Sequence, residues 1–319
     1  MNHFDVVCIG IVLLDLPLGP IKGDIFSRET TMVDQIQLTT GGDAMNEAVI
    51  LSRLGSRVAL IGQIGRDMQG DIIVKRCEEE KIYHTGLYRD PDFGTRINVV
   101  LFQEDGQRSF IKNRSAISGS FRETEINFEL MKGARVVSLA SIFASKLRDK
   151  DIILKILKKA KEFQATTFAD MVPITGGETI ETIQEALPLL DYFLPNLEEA
   201  RMLTGFQEPD DIADCLLNYG VKTVIIKLGK EGCFIKNRQS RYLVPGFPAK
   251  TIDTTGAGDN FAAGFISAFL EGKSLRDAGL YANGVAAVST ESIGAVSGVK
   301  NKEQIEVYLR DNTEKLILR

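Results

Sequence analysis

Asp253-Thr254-Thr255-Gly256-Ala257-Gly258-Asp259, continued by Asn260-Phe261-Ala262-Ala263-Gly264-Phe265, is the stretch on which the reading of this 319-residue chain turns. Phe261, Phe265 and Phe269 recur at helical spacing, so the predicted helix begins at the glycines. A helix start gathers free backbone N–H groups and the positive end of the dipole, and Gly256, Ala257 and Gly258 leave them open to an anion. Asp259 then stands in the first turn, beside that anion site. A carboxylate there repels a bound phosphate, and its useful task is to take a proton from an incoming hydroxyl. A lone Gly-x-Gly-Asp is more plainly a turn with an Asp cap, so the rest of the chain has to supply the context.

Two better-known phosphate motifs fail. The dinucleotide fingerprint needs a third glycine where Phe261 stands. Gly272-Lys273-Ser274 resembles the end of a Walker A loop, but Ser267 occupies the earlier glycine position and Gly272 reads as a helix C-cap.

Around this stretch, strand-like and helix-like runs alternate. Val6–Gly10 reads as a strand, Ala44–Leu54 as a helix, Arg57–Ile61 as a strand and Gly70–Lys81 as a helix. Val136–Leu139 precedes a helix near 149–163, Thr166–Ala169 one near 178–187, and Tyr192–Leu194 one at 196–204, with Val224–Lys227 a further strand. Such alternation predicts a mostly parallel sheet covered on both faces. Met32–Leu38 reads as β without a neighbouring helix, and Thr95–Phe102 and Gln107–Lys112 flank the hairpin signal Glu104-Asp105-Gly106. Together these predict a small projecting sheet, either a lid that excludes water or a plain edge hairpin.

Composition narrows the function. The chain is 44% hydrophobic and 25% charged with net charge −5, which disfavours backbone-driven nucleic-acid binding. No basic amphipathic stretch points to a membrane surface. Cys8, Cys77, Cys215 and Cys233 form no C-x-x-C pair, and His3 and His84 are the only histidines, too few for a multi-histidine zinc site. A cytoplasmic location is expected, because the chain runs into a strand at once and its apolar run near Phe261–Leu270 is too short to span a bilayer.

The quoted stretch resembles the hallmark of the ribokinase-like (PfkB-type) carbohydrate kinases, and further motifs follow in that family's order. Gly41-Gly42-Asp43-Ala44-Met45-Asn46-Glu47-Ala48 resembles its N-terminal Gly-Gly segment. Ile61-Gly62-Gln63-Ile64-Gly65-Arg66-Asp67 resembles its glycine-punctuated stretch, Pro195-Asn196-Leu197-Glu198-Glu199 its Asn-x-x-Glu motif, and Lys227-Leu228-Gly229-Lys230-Glu231-Gly232 its nucleotide-side turn. The resemblance spans residues 6 to about 298 and implies a three-layer α/β sandwich with a mostly parallel central sheet. It implies one domain over 1–319, with a small β-sheet lid from segments about 12–40 and 92–114.

The resemblance also implies roles. Asp259 would be the catalytic base, and Gly256, Ala257 and Gly258 the anion hole. Asn196 and Glu199 would hold Mg²⁺ mostly through water. ATP would lie along Lys227, Gly229 and Gly232, with Asn283 either near its adenine or a plain helix-surface amide. A monovalent cation such as K⁺ would sit by Asp253, Thr255 and carbonyls near Ser289, Gly294 and Ser297. Asp15, Gly41, Gly42 and Asn46 would surround the sugar, with Arg96 and Arg114 as candidates for a carboxylate on it. Asp43 and Ser141 stand where ribose-specific members carry a lysine and an acidic residue, which argues against ribose. The expected reaction transfers the ATP γ-phosphoryl to a hydroxymethyl group of a monosaccharide or sugar-like alcohol. The alternatives are a nucleoside kinase, with Phe93, Phe102 and Phe110 as a stacking platform, and a ligand-binding regulator without catalysis. A homodimer through the lid strands is expected.

Overall fold

The computed structural model describes residues 3–33, 36–92, 94–103, 108–113 and 119–317. Thirteen strands are described: β1 (Val6–Ile9), β2 (Leu13–Leu18), β3 (Thr39–Gly41), β4 (Val58–Gly65), β5 (Tyr83–Asp90), β6 (Ile97–Phe102), β7 (Arg108–Lys112), β8 (Val136–Ile142), β9 (Thr166–Met171), β10 (Tyr192–Phe193), β11 (Thr223–Lys227), β12 (Cys233–Asn237) and β13 (Arg241–Val244). The helices are α1 (Asp43–Arg53), α2 (Met68–Glu79), α3 (Lys150–Glu162), α4 (Leu197–Thr204), α5 (Pro209–Asn218), α6 (Ala257–Leu270), α7 (Leu275–Ser289) and α8 (Lys302–Ile317).

Nine strands form one sheet in the order β13-β12-β11-β10-β9-β8-β1-β4-β5, parallel from β11 to β5, with β12 and β13 added antiparallel. Side chains alternate across β1: Val6 and Cys8 join the core under α1, α2, α6, α7 and α8, while Val7 and Ile9 join the core under α3, α4 and α5. Burial on both faces explains why these strands read as continuous apolar runs. Strand β1 pairs with both β4 and β8, so the chain winds one way from β1 and then returns to wind the other way. Ligands in such sheets bind beyond the carboxyl ends of strands at that reversal.

The other four strands form a separate sheet, β3-β2-β6-β7, from two chain segments on either side of α1, β4, α2 and β5. The β6–β7 hairpin matches the sequence expectation, although its turn at Glu104-Asp105-Gly106 lies outside the described residues. Two sequence expectations fail. Met32–Leu38 holds no strand among its described residues, and β2 and β3 supply the strands instead. The helix expected near 178–187 is two 3₁₀ turns, Ile180–Ile183 and Leu187–Leu189. Buried Ile180 and Ile183 are three residues apart, a spacing that suits a 3₁₀ turn as well as an α-helix.

Candidate active site

The predicted helix start is α6, whose N-cap Gly256 lies at φ +72. Only glycine takes that conformation cheaply, and a β-carbon there would come 2.6 Å from the Ala295 Cβ. The turn before it is tied down twice. Asp253 accepts hydrogen bonds from the Thr255 N–H at 2.9 Å, the Thr255 hydroxyl at 2.7 Å and the Gly294 N–H at 2.9 Å. Asn260 donates to the carbonyls of Gly256 at 2.8 Å and Ala295 at 2.7 Å. The Asp253 carboxylate therefore fixes the loop. The expectation of three open amides narrows as well. The Ala257 N–H donates to the Thr254 carbonyl at 3.2 Å, whereas Gly258, in the first turn, has no intrahelical partner.

Asp259 stands beside that turn, and Asn46 of α1 donates to its carboxylate at 2.8 Å. Burial pushes the Asp259 pKa well above the usual carboxylate range and Asp43 adds to the rise, with the Asn46 bond and Lys227 opposing. Gly41 ends β3 and Gly42 caps α1, and neither has room for a side chain. A β-carbon at Gly41 would fall 2.0 Å from the Asp15 carboxylate, and one at Gly42, which sits at φ +93, 2.5 Å from the Ile11 carbonyl. Asp15 in turn accepts from Asn98 of β6 at 3.0 Å. The Asn46 and Asn98 amide oxygens are both buried without a hydrogen-bond partner. Such orphans are costly, and hydroxyl groups of a ligand are their natural donors.

Arg96 reaches from the small sheet to donate to the Ser145 hydroxyl at 2.9 Å. Burial depresses its pKa while Asp43 opposes that shift. Asp43 itself accepts from the Ser141 hydroxyl, so the two form one hydrogen-bonded pair. Arg114 and Phe93 lie outside the described residues.

On the other side, Asn196 caps α4 by accepting from the Glu199 N–H at 2.9 Å, and Glu199 accepts from the Asn196 N–H at 2.9 Å. One Glu199 oxygen remains, on a carboxyl that burial and the nearby Asp170 raise to about 7, an arrangement that favours a cation. Among the described residues no three His, Cys, Asp or Glu side chains form a metal cage. Gly232, at φ +100, lies against the Val244 carbonyl, 2.1 Å from where its β-carbon would be, while Gly229 faces open space. Asn283 is not a surface amide: it is buried and donates to the carbonyls of Val244 at 3.2 Å and Pro245 at 3.0 Å.

Sequence reasoning missed four polar residues here: Asp170, Glu47, Ser138 and Asn98. Asp170, near the end of β9, is paired with Lys227 at the end of β11. Its own segment, with Thr166 and Thr167 also polar, carried no signal that singled it out. Glu47, one turn beyond Asp43 on α1, accepts from the Ser138 hydroxyl at 2.7 Å, and burial raises it to about 8. A carboxyl so raised stabilises the fold fully below its ordinary 4.5 and loses that contribution as pH climbs through about 8. Ligand-free protein is thus expected to lose thermal stability over that window. Glu47→Gln should reduce the loss by on the order of 5 °C in Tm, checked by melts at stepped pH.

Between the small sheet and the α6 turn lies a cavity of about 430 Å³. Asp15, Thr255 and Gly294 line it together with apolar Pro17, Val100, Phe102 and Ile293. No helix among the described residues is long and apolar enough to cross a membrane.

Comparison with known proteins bears on the family and the fold. The family described as pfkB family carbohydrate kinase matches residues 3–302. The 2-dehydro-3-deoxygluconokinase of Bacillus subtilis is 27% identical over 278 residues, covering 84% of this chain and 86% of that protein. An uncharacterized sugar kinase of Archaeoglobus fulgidus is 30% identical over 250 residues, covering 78% of this chain and 97% of its own. A putative ribokinase II from E. coli, solved in complex with ATP and Mg²⁺, superposes with TM-score 0.81 at 22% identity, covering 97% of this chain and 99% of its own. The three-layer fold is ribokinase-like.

Proposed function

Because the chain belongs to the pfkB family of carbohydrate kinases, we propose that it transfers the γ-phosphoryl of ATP to a hydroxymethyl group of a monosaccharide or sugar-like alcohol. The observation that carries this reading is the pair of orphaned amide oxygens, Asn46 and Asn98, buried beside the carboxylates of Asp259 and Asp15. Two acceptors and two carboxylates around bare glycine backbone suit a polyhydroxy compound. Asp259 takes the proton of the attacking hydroxyl, and the α6 start receives the charge that develops on the phosphoryl. Asn196 and Glu199 are the residues that would hold Mg²⁺, which supplies charge neutralisation on the triphosphate. Lys227, Gly229 and Gly232 border the nucleotide. A monovalent cation beside the 253–255 turn belongs to the same reading.

The small sheet serves as a lid, closing on the α6 turn to exclude water. Its edge strand β7 exposes Phe110 and Ile111, which supports pairing between two copies of the chain. Arg96, a partly desolvated guanidinium that feels the Asp43 charge, favours acceptors that carry a carboxylate. A nucleoside acceptor is the second reading, favoured by the apolar wall of Val100 and Phe102 in the 430 Å³ cavity.

A panel of neutral sugars, sugar acids and nucleosides, scored by ADP release with Mg²⁺ and ATP, tests this reading. Turnover on the order of 1–100 s⁻¹ is expected with a sugar or sugar acid, phosphorylated at its terminal hydroxymethyl. Turnover with nucleosides alone would favour the second reading. Nucleotide binding without phosphorylation of any acceptor would return the protein to the regulator class.

A further inference from the structure

Lys227 and Asp170 face each other across the two-residue strand β10, at the carboxyl ends of β11 and β9. Both are largely buried, with 12% and 8% of their side chains exposed. A tie between strands is the plain account of such a pair. Yet buried ion pairs add little net stability over an apolar pair of the same volume, so the charges need another explanation.

Their position supplies one. A β-carbon on Gly258 would lie 3.2 Å from the Lys227 ammonium, which therefore sits under the first turn of α6. The positive end of the α6 dipole and a positive ammonium converge on one spot, where they repel unless negative charge is there too. Asp170, Glu199 and Asp259 attract the ammonium, and their pull outweighs the burial that would lower its pKa. Asp43 feels the same charge. Lys227 is thus held between the carboxylate that borders the Mg²⁺ position and the carboxylate that takes the acceptor proton.

We propose that the Lys227 ammonium is a catalytic group that contacts the transferred phosphoryl, and that Asp170 is the residue that positions it. The role rests on the kinase reading above. As the γ-phosphorus leaves the bridging oxygen of ADP, that bond's electron pair stays with ADP. The acceptor oxygen forms the new P–O bond and its proton passes to Asp259. Negative charge spreads over the three equatorial oxygens, and the ammonium meets it from beneath Gly258.

The test compares Lys227→Met, Lys227→Arg, Asp170→Asn and the double variant Lys227→Met/Asp170→Asn. Each is assayed for kcat and KM with the best acceptor of the panel, for Mg²⁺·ATP binding by calorimetry and for Tm. Lys227→Met is expected to lose at least about 10²-fold in kcat while binding Mg²⁺·ATP within about threefold of wild type. Lys227→Arg should recover part of that kcat. Asp170→Asn should lower kcat about tenfold at unchanged KM. The double variant removes both members of the buried pair and should fold even if Lys227→Met does not, with kcat no lower than that of Lys227→Met, because the two act as a unit. A double variant with wild-type kcat, an effect confined to ATP binding, or Lys227→Arg as inactive as Lys227→Met despite a native Tm would each overturn the proposal. A wild-type protein that phosphorylates nothing would overturn the kinase reading and the proposal with it, whereas an active wild type with an equally active double variant would overturn the proposal alone.

Discussion

Asp259→Asn is expected to give a folded protein that still binds Mg²⁺·ATP and has lost at least about 10³-fold in kcat. The substitution keeps the shape, and the new amide oxygen can still accept from Asn46, whose bond to Asp259 measures 2.8 Å. What disappears is the proton acceptor. Burial, and then Asp43, holds that carboxyl well above its ordinary range, so its charged form opposes folding as pH rises. A neutral amide escapes this cost, and Tm at neutral pH should rise by a few degrees. A more stable protein without turnover is the signature of a residue kept for chemistry. The acid limb of kcat/KM in wild type should vanish with the carboxylate. Wild-type turnover in Asp259→Asn, measured by ADP release, would remove the base from the mechanism.

Gly256→Val is expected to cost both stability and activity. At φ +72 a β-branched residue is strained, and its β-carbon would press on Ala295 at 2.6 Å. The two effects together amount to about 2–4 kcal/mol, visible as a lower midpoint in denaturant titration. The same change pushes the α6 turn away from the loop that Asp253 and Asn260 fasten to it. Misplaced amides at a developing charge lower kcat by about 10²–10³-fold, so the folded fraction should be nearly inactive at saturating substrate. Native Tm with full turnover would show that the turn tolerates a side chain and has no part in catalysis.

The quoted stretch revealed the α6 start because its signals are local: glycines, a carboxylate and an aromatic stripe within one run. The alternating pattern likewise revealed the parallel sheet, since strands buried on both faces are apolar throughout. Strand β2 stayed hidden because Pro17 interrupts it. The structure tolerates that proline because β3 pairs only with Leu13–Asp15, so no ladder bond from β3 is required at residue 17. Asp170, Glu47 and Asn98 stayed hidden for a different reason. Each is an ordinary polar residue in its own segment, and its surroundings arise only when distant strands meet. Burial is a property of the folded chain, and burial is what shifts Glu47 to about 8.

The bond between Asn46 and Asp259 joins residues 213 positions apart. During synthesis the acceptor-side helix leaves the ribosome long before α6, so on the proposed mechanism a nascent or prematurely terminated product lacking α6 has no base for the transfer. Complementation of split halves should therefore restore phosphorylation only when the C-terminal fragment brings the whole 253–259 turn with it.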